Sequence, residues 1–278
     1  MNIHKSKIEW CSHTWNPVTG CLHDCPYCYA RRITFRFGPR IEEWPDTKLE
    51  ATGPVGEDGE GSCFIAEKPV RLTTIDGTYI RSTPYPKHFA PTLHKYTLGY
   101  PEQRKSPARI FVSSVGDLFG EWVPDEWIEQ VFAACEKAPR HTYIFLTKNP
   151  QRYSKLYWAG KLPQRPNMWY GSTATTPDAA IFRVEGYKTF ISIEPLLAEF
   201  PELTDRRIAD WIILGAMTGP GSRKNQPQRK WIEGIVESAH TAGIPVFMKD
   251  SLAPLWCLHD KDELIRQYPP EMNGGEKV

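Results

Sequence analysis

The chain carries almost no net charge: 34 Lys and Arg against 33 Asp and Glu leave +1 at neutral pH. Gripping nucleic acid by charge alone is therefore not expected, although a local basic groove is compatible with that balance. No run of about 18 apolar residues occurs, so no membrane-spanning helix is expected. The opening stretch MNIHKSKIEW lacks the apolar region of a secretory signal. No second C-x2-C pair accompanies the one at Cys25 and Cys28. Seven cysteines is an odd count, and Cys11, Cys63, Cys135 and Cys257 are scattered. That makes a poor disulfide framework and points to a reducing compartment. A soluble, cytoplasmic protein is the expectation.

What is present is enough for a large core. The 278 residues are 40% hydrophobic and 24% charged, compatible with one large α/β barrel or two smaller domains. From residue 110 onward, short β-branched or aromatic runs alternate with helical stretches. The predicted strands are Ile110–Ser114, Thr142–Thr147, Met168–Ser172, Thr189–Ile193, Trp211–Gly215 and Pro245–Met248, with a further short one at about His13–Val18. The predicted helices are Asp125–Lys137, Pro150–Trp158, Pro177–Glu185 and Gln228–Ala242. In the first, Ile128, Val131, Phe132 and Cys135 recur at three- and four-residue steps, one helical face with Asp125 at the N-cap. Gly243 stands where the last helix would need a left-handed residue. Such alternation predicts parallel strands with helical crossovers. The expected fold is α/β: a partial or near-complete (β/α) barrel of about six to seven parallel strands, one domain over 1–278.

Residues 40–107 break the pattern. This Pro- and Gly-rich stretch reads as an irregular insertion after the first barrel unit, either a cover for the barrel mouth or surface ornament. Within it, Ala51–Cys63 is polar and flexible in composition, and Asp76-Gly77 is a candidate hairpin turn.

The densest chemistry lies in Cys21-Leu22-His23-Asp24-Cys25-Pro26-Tyr27-Cys28. This C-x3-C-x2-C loop supplies three thiolates, soft ligands suited to iron–sulfur clusters and zinc. A cubane cluster normally takes four cysteines, so three leave one iron open for another molecule. Ligands of (β/α) barrels gather at the carboxyl ends of the strands. The predicted strands end in Ser113-Ser114-Val115-Gly116-Asp117, Thr147-Lys148-Asn149, Gly171-Ser172-Thr173, Ser192-Ile193-Glu194 and Gly215-Ala216-Met217-Thr218-Gly219. The cysteine loop follows the first strand, so it belongs to that same end.

The loop resembles that of the radical S-adenosylmethionine (radical SAM) superfamily. More narrowly, Thr14–Cys21, Val112–Phe119, Phe145–Lys148 and Ile191–Leu197 resemble a phage-associated radical SAM group without an assigned reaction, related to spore photoproduct lyase. The likeness covers roughly residues 8–30 and 86–250 and leaves about 40–85 unmatched. It implies a [4Fe–4S] cluster on Cys21, Cys25 and Cys28 whose open iron chelates the amine and carboxylate of SAM. An electron donor of flavodoxin or ferredoxin type would reduce it, and a 5′-deoxyadenosyl radical would take hydrogen from a substrate. Tyr27 is similar to the family aromatic near the adenine. Ser114 and Asp117 stand where polar groups meet the SAM amine and ribose. Lys148 looks like the lysine that pairs with the SAM carboxylate, a role suited to a point charge with three donors. Ser172 would reach the ribose or carboxylate, and Glu194 either the ribose or the substrate.

Each of these has a plainer rival. The cysteines suit half a zinc site with His23, His13 or Cys11 as fourth ligand, making a non-enzymatic zinc-stapled nucleic-acid-binding module. Asp117 suits a helix N-cap before Leu118–Gly120, Lys148 a solvated loop lysine, Glu194-Pro195 a strand end, and Met217 core packing. Cys135 on an apolar helix face reads as a buried free thiol. The scattered cysteines show no spacing for an auxiliary cluster. For the substrate, two basic groups carry aromatics: Arg31, Arg32, Arg36 and Arg40 with Phe35 and Phe37, and Arg223, Lys224, Arg229 and Lys230 with Trp231. Both fit phosphates and stacked bases, and both fit ordinary solvated faces. Relation to a DNA-repair lyase tilts the substrate towards a nucleotide or nucleic acid, with a small molecule or peptide as the other class.

Overall fold

Apolar runs joined by crossovers pair in parallel, and the strands from Thr142 to Met248 do so, with described helices in two of their four connections. A computed structural model describes residues 3–47, 49–55, 61–201, 208–219, 221–259 and 262–272, with the backbone alone at 53–55 and 61. Met1–Lys5, His13–Ser106 and Ile110–His141 form one compact unit, and Ser6–Ser12, Pro107–Arg109 and Thr142–Val278 a second.

The first unit contains β1 (His4–Lys5), β2 (His13–Trp15), β3 (Val18–Thr19), α1 (Tyr29–Phe37), β4 (Trp44–Pro45), β5 (Glu50–Val55), β6 (Gly61–Ala66), β7 (Val70–Thr73), β8 (Tyr79–Thr83), β9 (Thr92–His94), α2 (Tyr100–Gln103), β10 (Arg109–Val112) and α3 (Asp125–Glu136). β10 runs parallel to β2, pairing Ile110 with His13 and Val112 with Trp15, and β1 is antiparallel to β2. The strand predicted at His13–Val18 is broken in two. Pro17 offers no N–H to a ladder, and β3 pairs with β9 instead. The strand predicted to reach Ser114 stops at Val112, because Ser113 takes a left-handed φ of 59°.

Residues 40–107 hold more strand than their composition suggests. β9 joins β3 to β6, and β6 pairs with β5; β4, β7 and β8 make a second small sheet. The hairpin at Asp76-Gly77 is formed. Gly77 has φ 85°, and the Asp76 carboxylate accepts from the Thr78 N–H at 3.2 Å. Of the polar stretch Ala51–Cys63, residues 56–60 lie outside the described residues. In α3 the predicted face is buried, with Ile128, Val131 and Cys135 at 0% exposure. Pro124 rather than Asp125 occupies the N-cap. Asp125 is the first helical residue, where its charge favours the helix N-terminus.

The second unit contains β11 (Thr142–Thr147), α4 (Gln151–Trp158), β12 (Met168–Thr173), β13 (Lys188–Ile193), β14 (Ile212–Leu214), α5 (Arg229–Ala242), β15 (Val246–Met248) and α6 (Ala253–Trp256). Its five strands are all parallel and lie side by side in chain order. Ile232, Ile235 and Ala239 of α5 bury against Ile212, Leu214 and Val246. Each fully buried aliphatic side chain contributes at most about 1.5–3 kcal/mol. Gly243 ends α5 in the left-handed conformation, φ 67°, as its position predicts. The helix predicted at Pro177–Glu185 is absent. Phe182 is drawn into an aromatic group, 5.3 Å from Tyr153 and 5.9 Å from Tyr187, and its N–H donates to the Ser172 hydroxyl at 2.9 Å. Those anchors hold the segment in an irregular path. No described helix is long and apolar enough to cross a membrane. All seven cysteines are free, and Cys135 is buried, its thiol pushed well above the ordinary range by burial.

Candidate functional site: the cysteine loop and the strand ends

In the first unit, backbone geometry fixes where the cysteine loop starts. Gly20 takes φ 85°; its N–H donates to the Val115 carbonyl at 3.0 Å and its carbonyl accepts from the Asp117 N–H at 3.3 Å. A Cβ on Gly20 would lie 2.3 Å from the Ala90 carbonyl oxygen, so the close approach needs glycine. The Cys21 N–H donates to the Phe89 carbonyl at 3.0 Å. The first cysteine is thus pinned beside Ser113–Asp117, the loop that leaves β10. Asp24, at φ 54°, turns the chain, and the Cys28 N–H closes onto the Cys25 carbonyl at 3.1 Å.

Two sulfurs accept backbone N–H groups: Cys21 Sγ from His23 at 3.5 Å and Cys28 Sγ from Arg31 at 3.4 Å. Cys28 is also the N-cap of α1. Burial above all pushes the Cys21 thiol up to about 12, with Asp117, Cys25 and Cys28 raising it further against the His23 N–H. Such a thiol stays protonated until a cation reverses the balance.

Asp117 is buried and fully engaged. One carboxylate oxygen faces His23 Nε2 at 2.8 Å, and the other accepts from the Phe119 N–H at 3.0 Å. The latter makes a turn, so Leu118–Gly120 is not a helix that Asp117 caps. The His23 ring lies edge-on to Trp122 at 4.8 Å. Ser114 Oγ bonds Asn16 Oδ1 at 3.1 Å, and the Tyr29 hydroxyl donates to the Ser114 carbonyl at 2.6 Å. Tyr27 is half-buried in the same loop.

The donor set fits an iron–sulfur cluster: three soft donors on one loop, two of them accepting the N–H bonds that thiolate ligands use. Among the described residues, no three His, Cys, Asp or Glu side chains stand closely enough to hold a metal ion as placed. The loop offers the ligands rather than a closed cage.

In the second unit, Lys148 lies half-buried just past β11. Ser172 is fully buried in β12, and its bond to the Phe182 N–H gives it a structural task whatever else it does. Glu194 follows the last residue of β13 and pairs with Lys249, which also stands 4.0 Å from Glu9. Gly215 makes room for this pair, since a Cβ there would lie 3.0 Å from Glu194 Cγ and 3.2 Å from Lys249 Cδ. Lys249 and Glu9 are not among the residues the sequence singles out, nor are the pairings of Asn16 with Ser114 and of His23 with Asp117. Lys249 had a signal: it follows β15 as Lys148 follows β11. The others join positions too far apart in the chain for any local pattern.

No curated protein matches the chain, and no solved structure does. Residues 5–254 match the family described as "Protein of unknown function (DUF5131)", and the chain belongs to that family.

Proposed function

We propose that the protein is a radical SAM enzyme whose substrate is a nucleotide or nucleic acid. One observation carries the reading: three thiols of a single loop, two accepting backbone N–H bonds, pinned through Gly20 and Cys21 against the strand-end loop Ser113–Asp117. Cys21, Cys25 and Cys28 would hold a [4Fe–4S] cluster. When bound, the cluster and SAM would supply reductive cleavage of the sulfonium and a 5′-deoxyadenosyl radical that takes hydrogen from the substrate. Within the first unit, Gly20 and Gly116 pack closely, a Cβ on Gly116 falling 2.9 Å from the Gly20 carbonyl oxygen, and the Asp117 carboxylate faces His23 Nε2 at 2.8 Å. Ser114, Asp117 and Tyr27 are the proposed contacts to SAM. Lys148, Ser172 and Glu194 keep their proposed SAM or substrate roles by resemblance, as do the partial (β/α) barrel and an electron donor of flavodoxin or ferredoxin type.

The test is direct. Anaerobically purified protein should carry about four iron and four sulfide per chain and release 5′-deoxyadenosine from SAM and dithionite. Cys25→Ala should remove the iron. Lys148→Ala should keep it and weaken SAM binding. About one zinc per chain with no SAM cleavage would overturn the reading in favour of a zinc-stapled module.

A further inference from the structure

The structure separates the two basic groups of the sequence. In the second unit, Arg229 pairs with Glu233 at 2.7 Å and Lys230 with Glu199 at 3.5 Å. In the first unit, Tyr29–Phe37 and the Gly38-Pro39-Arg40 that follows contain four arginines and no acid. Arg31 is engaged by Asp24 and lies over the Phe89 ring at 5.5 Å. Arg32 and Arg36 are exposed, and among the described residues neither has a carboxylate partner. They lie one turn apart on α1, about 6 Å along its axis.

Aromatic rings stand among them. Phe35 is 59% exposed and Phe37 49%. One face of Phe35 is already used: the His88 ring stacks on it with centroids 4.8 Å apart and planes within 10°. The remaining exposure leaves its other side bare. This stack is built rather than incidental. His88 holds a left-handed φ of 51°, an uncommon conformation for a side chain of its size, and its Nδ1 is buried without a hydrogen-bond partner. Gly38 makes the space, since a Cβ there would lie 2.6 Å from that nitrogen. Arg81 fixes the end of α1 by donating to the Phe37 carbonyl at 2.9 Å and the Gly38 carbonyl at 2.8 Å.

We infer that the exposed side of α1 is a stacking platform for single-stranded nucleic acid. A base continues the His88–Phe35 stack, and Arg32 and Arg36 hold the flanking phosphates. A duplex hides the base faces that Phe35 requires. An interfacial membrane helix segregates its apolar and charged faces, whereas here the buried face is Ala30 and Thr34 and the open face mixes rings with guanidinium groups. The inference extends the reading above by naming the polymer, yet the binding itself needs neither cluster nor SAM.

Fluorescence anisotropy of a short labelled oligothymidylate, without reductant or SAM, tests it separately from the radical chemistry. The wild type should bind. Phe35→Ala should weaken binding about tenfold or more, and Phe35→Trp should retain it. The Arg32→Gln/Arg36→Gln variant should lower the slope of log affinity against log salt by about 1.4. The same far-ultraviolet circular dichroism in all variants guards against misfolding. Absence of binding, binding indifferent to these substitutions, or preference for a duplex or for phosphatidylglycerol vesicles would overturn the inference.

Discussion

His23 and Asp117 meet at 2.8 Å across 94 residues of chain, which ties the middle of the cysteine loop to the loop leaving β10. Under the proposed function, Asp117 acts on SAM itself or only through His23, and the two roles separate experimentally. Asp117→Asn should keep the iron content and lose about tenfold or more in SAM affinity, the scale of one charge-assisted hydrogen bond. His23→Ala should cost less than about threefold. Equal losses would make Asp117 a positioning residue.

Gly20→Ala places a methyl 2.3 Å from the Ala90 carbonyl oxygen at a positive φ. Backbone cannot yield there as a flexible side chain would, so a loss of about 2 kcal/mol or more is expected. Thermal unfolding should show a midpoint lowered by several degrees, and a variant as stable as the wild type would contradict the close approach.

Unit one should be acid-labile. His94 is fully buried, Nε2 facing Thr19 Oγ1 at 2.9 Å, and burial lowers its pKa from 6.5 to about 3. Above 6.5 both folded and unfolded states are neutral there. Below it the unfolded chain takes up a proton that the fold refuses, so stability falls by about 1.4 kcal/mol per pH unit until about pH 3. Urea midpoints at about pH 7.5 and pH 5 should therefore differ by more in the wild type than in His94→Gln. Burial also lowers His141, which contributes in the same direction in both proteins.

Lys249 stands between two carboxylates, Glu194 and Glu9, and all three side chains are largely shielded. Lys249→Met leaves two like charges facing one another. A loss of about 1–2 kcal/mol is expected, less than for a fully buried pair because solvent still reaches the group. Lys249→Met/Glu194→Gln should recover part of it in urea titration, and additive losses would show that the pair is not coupled.

Local pattern carried the second unit well. Thr142–Thr147 is a strand over those residues, and Gln228–Ala242 is a helix from Arg229, because β-branched runs and a clean apolar face decide their own state. Pro177–Glu185 failed because its state is decided by what Phe182 packs on and by the Ser172 hydroxyl, neither of which spacing encodes. Between residues 44 and 94, β7 and β8 were legible from their Asp76-Gly77 turn, whereas β4, β5, β6 and β9 escaped notice for a related reason. β3 and β9 pair across more than seventy residues, and strands of two or three residues have no period to read. At the candidate site, the three cysteines drew attention because their spacing lies within eight consecutive residues. Asn16 beside Ser114 was not, since 98 residues separate them.

Cys28 is at once the last thiol of the loop and the N-cap of α1. Loop length and helix phase are therefore one variable. Inserting a single residue after Cys28 would turn everything beyond it by about 100°. Phe35 would leave His88, and Thr34, now fully buried, would be carried into its exposed place. The interval between the last cysteine and the arginines is thus a gear setting of this chain, and it tolerates substitution far better than a change in count.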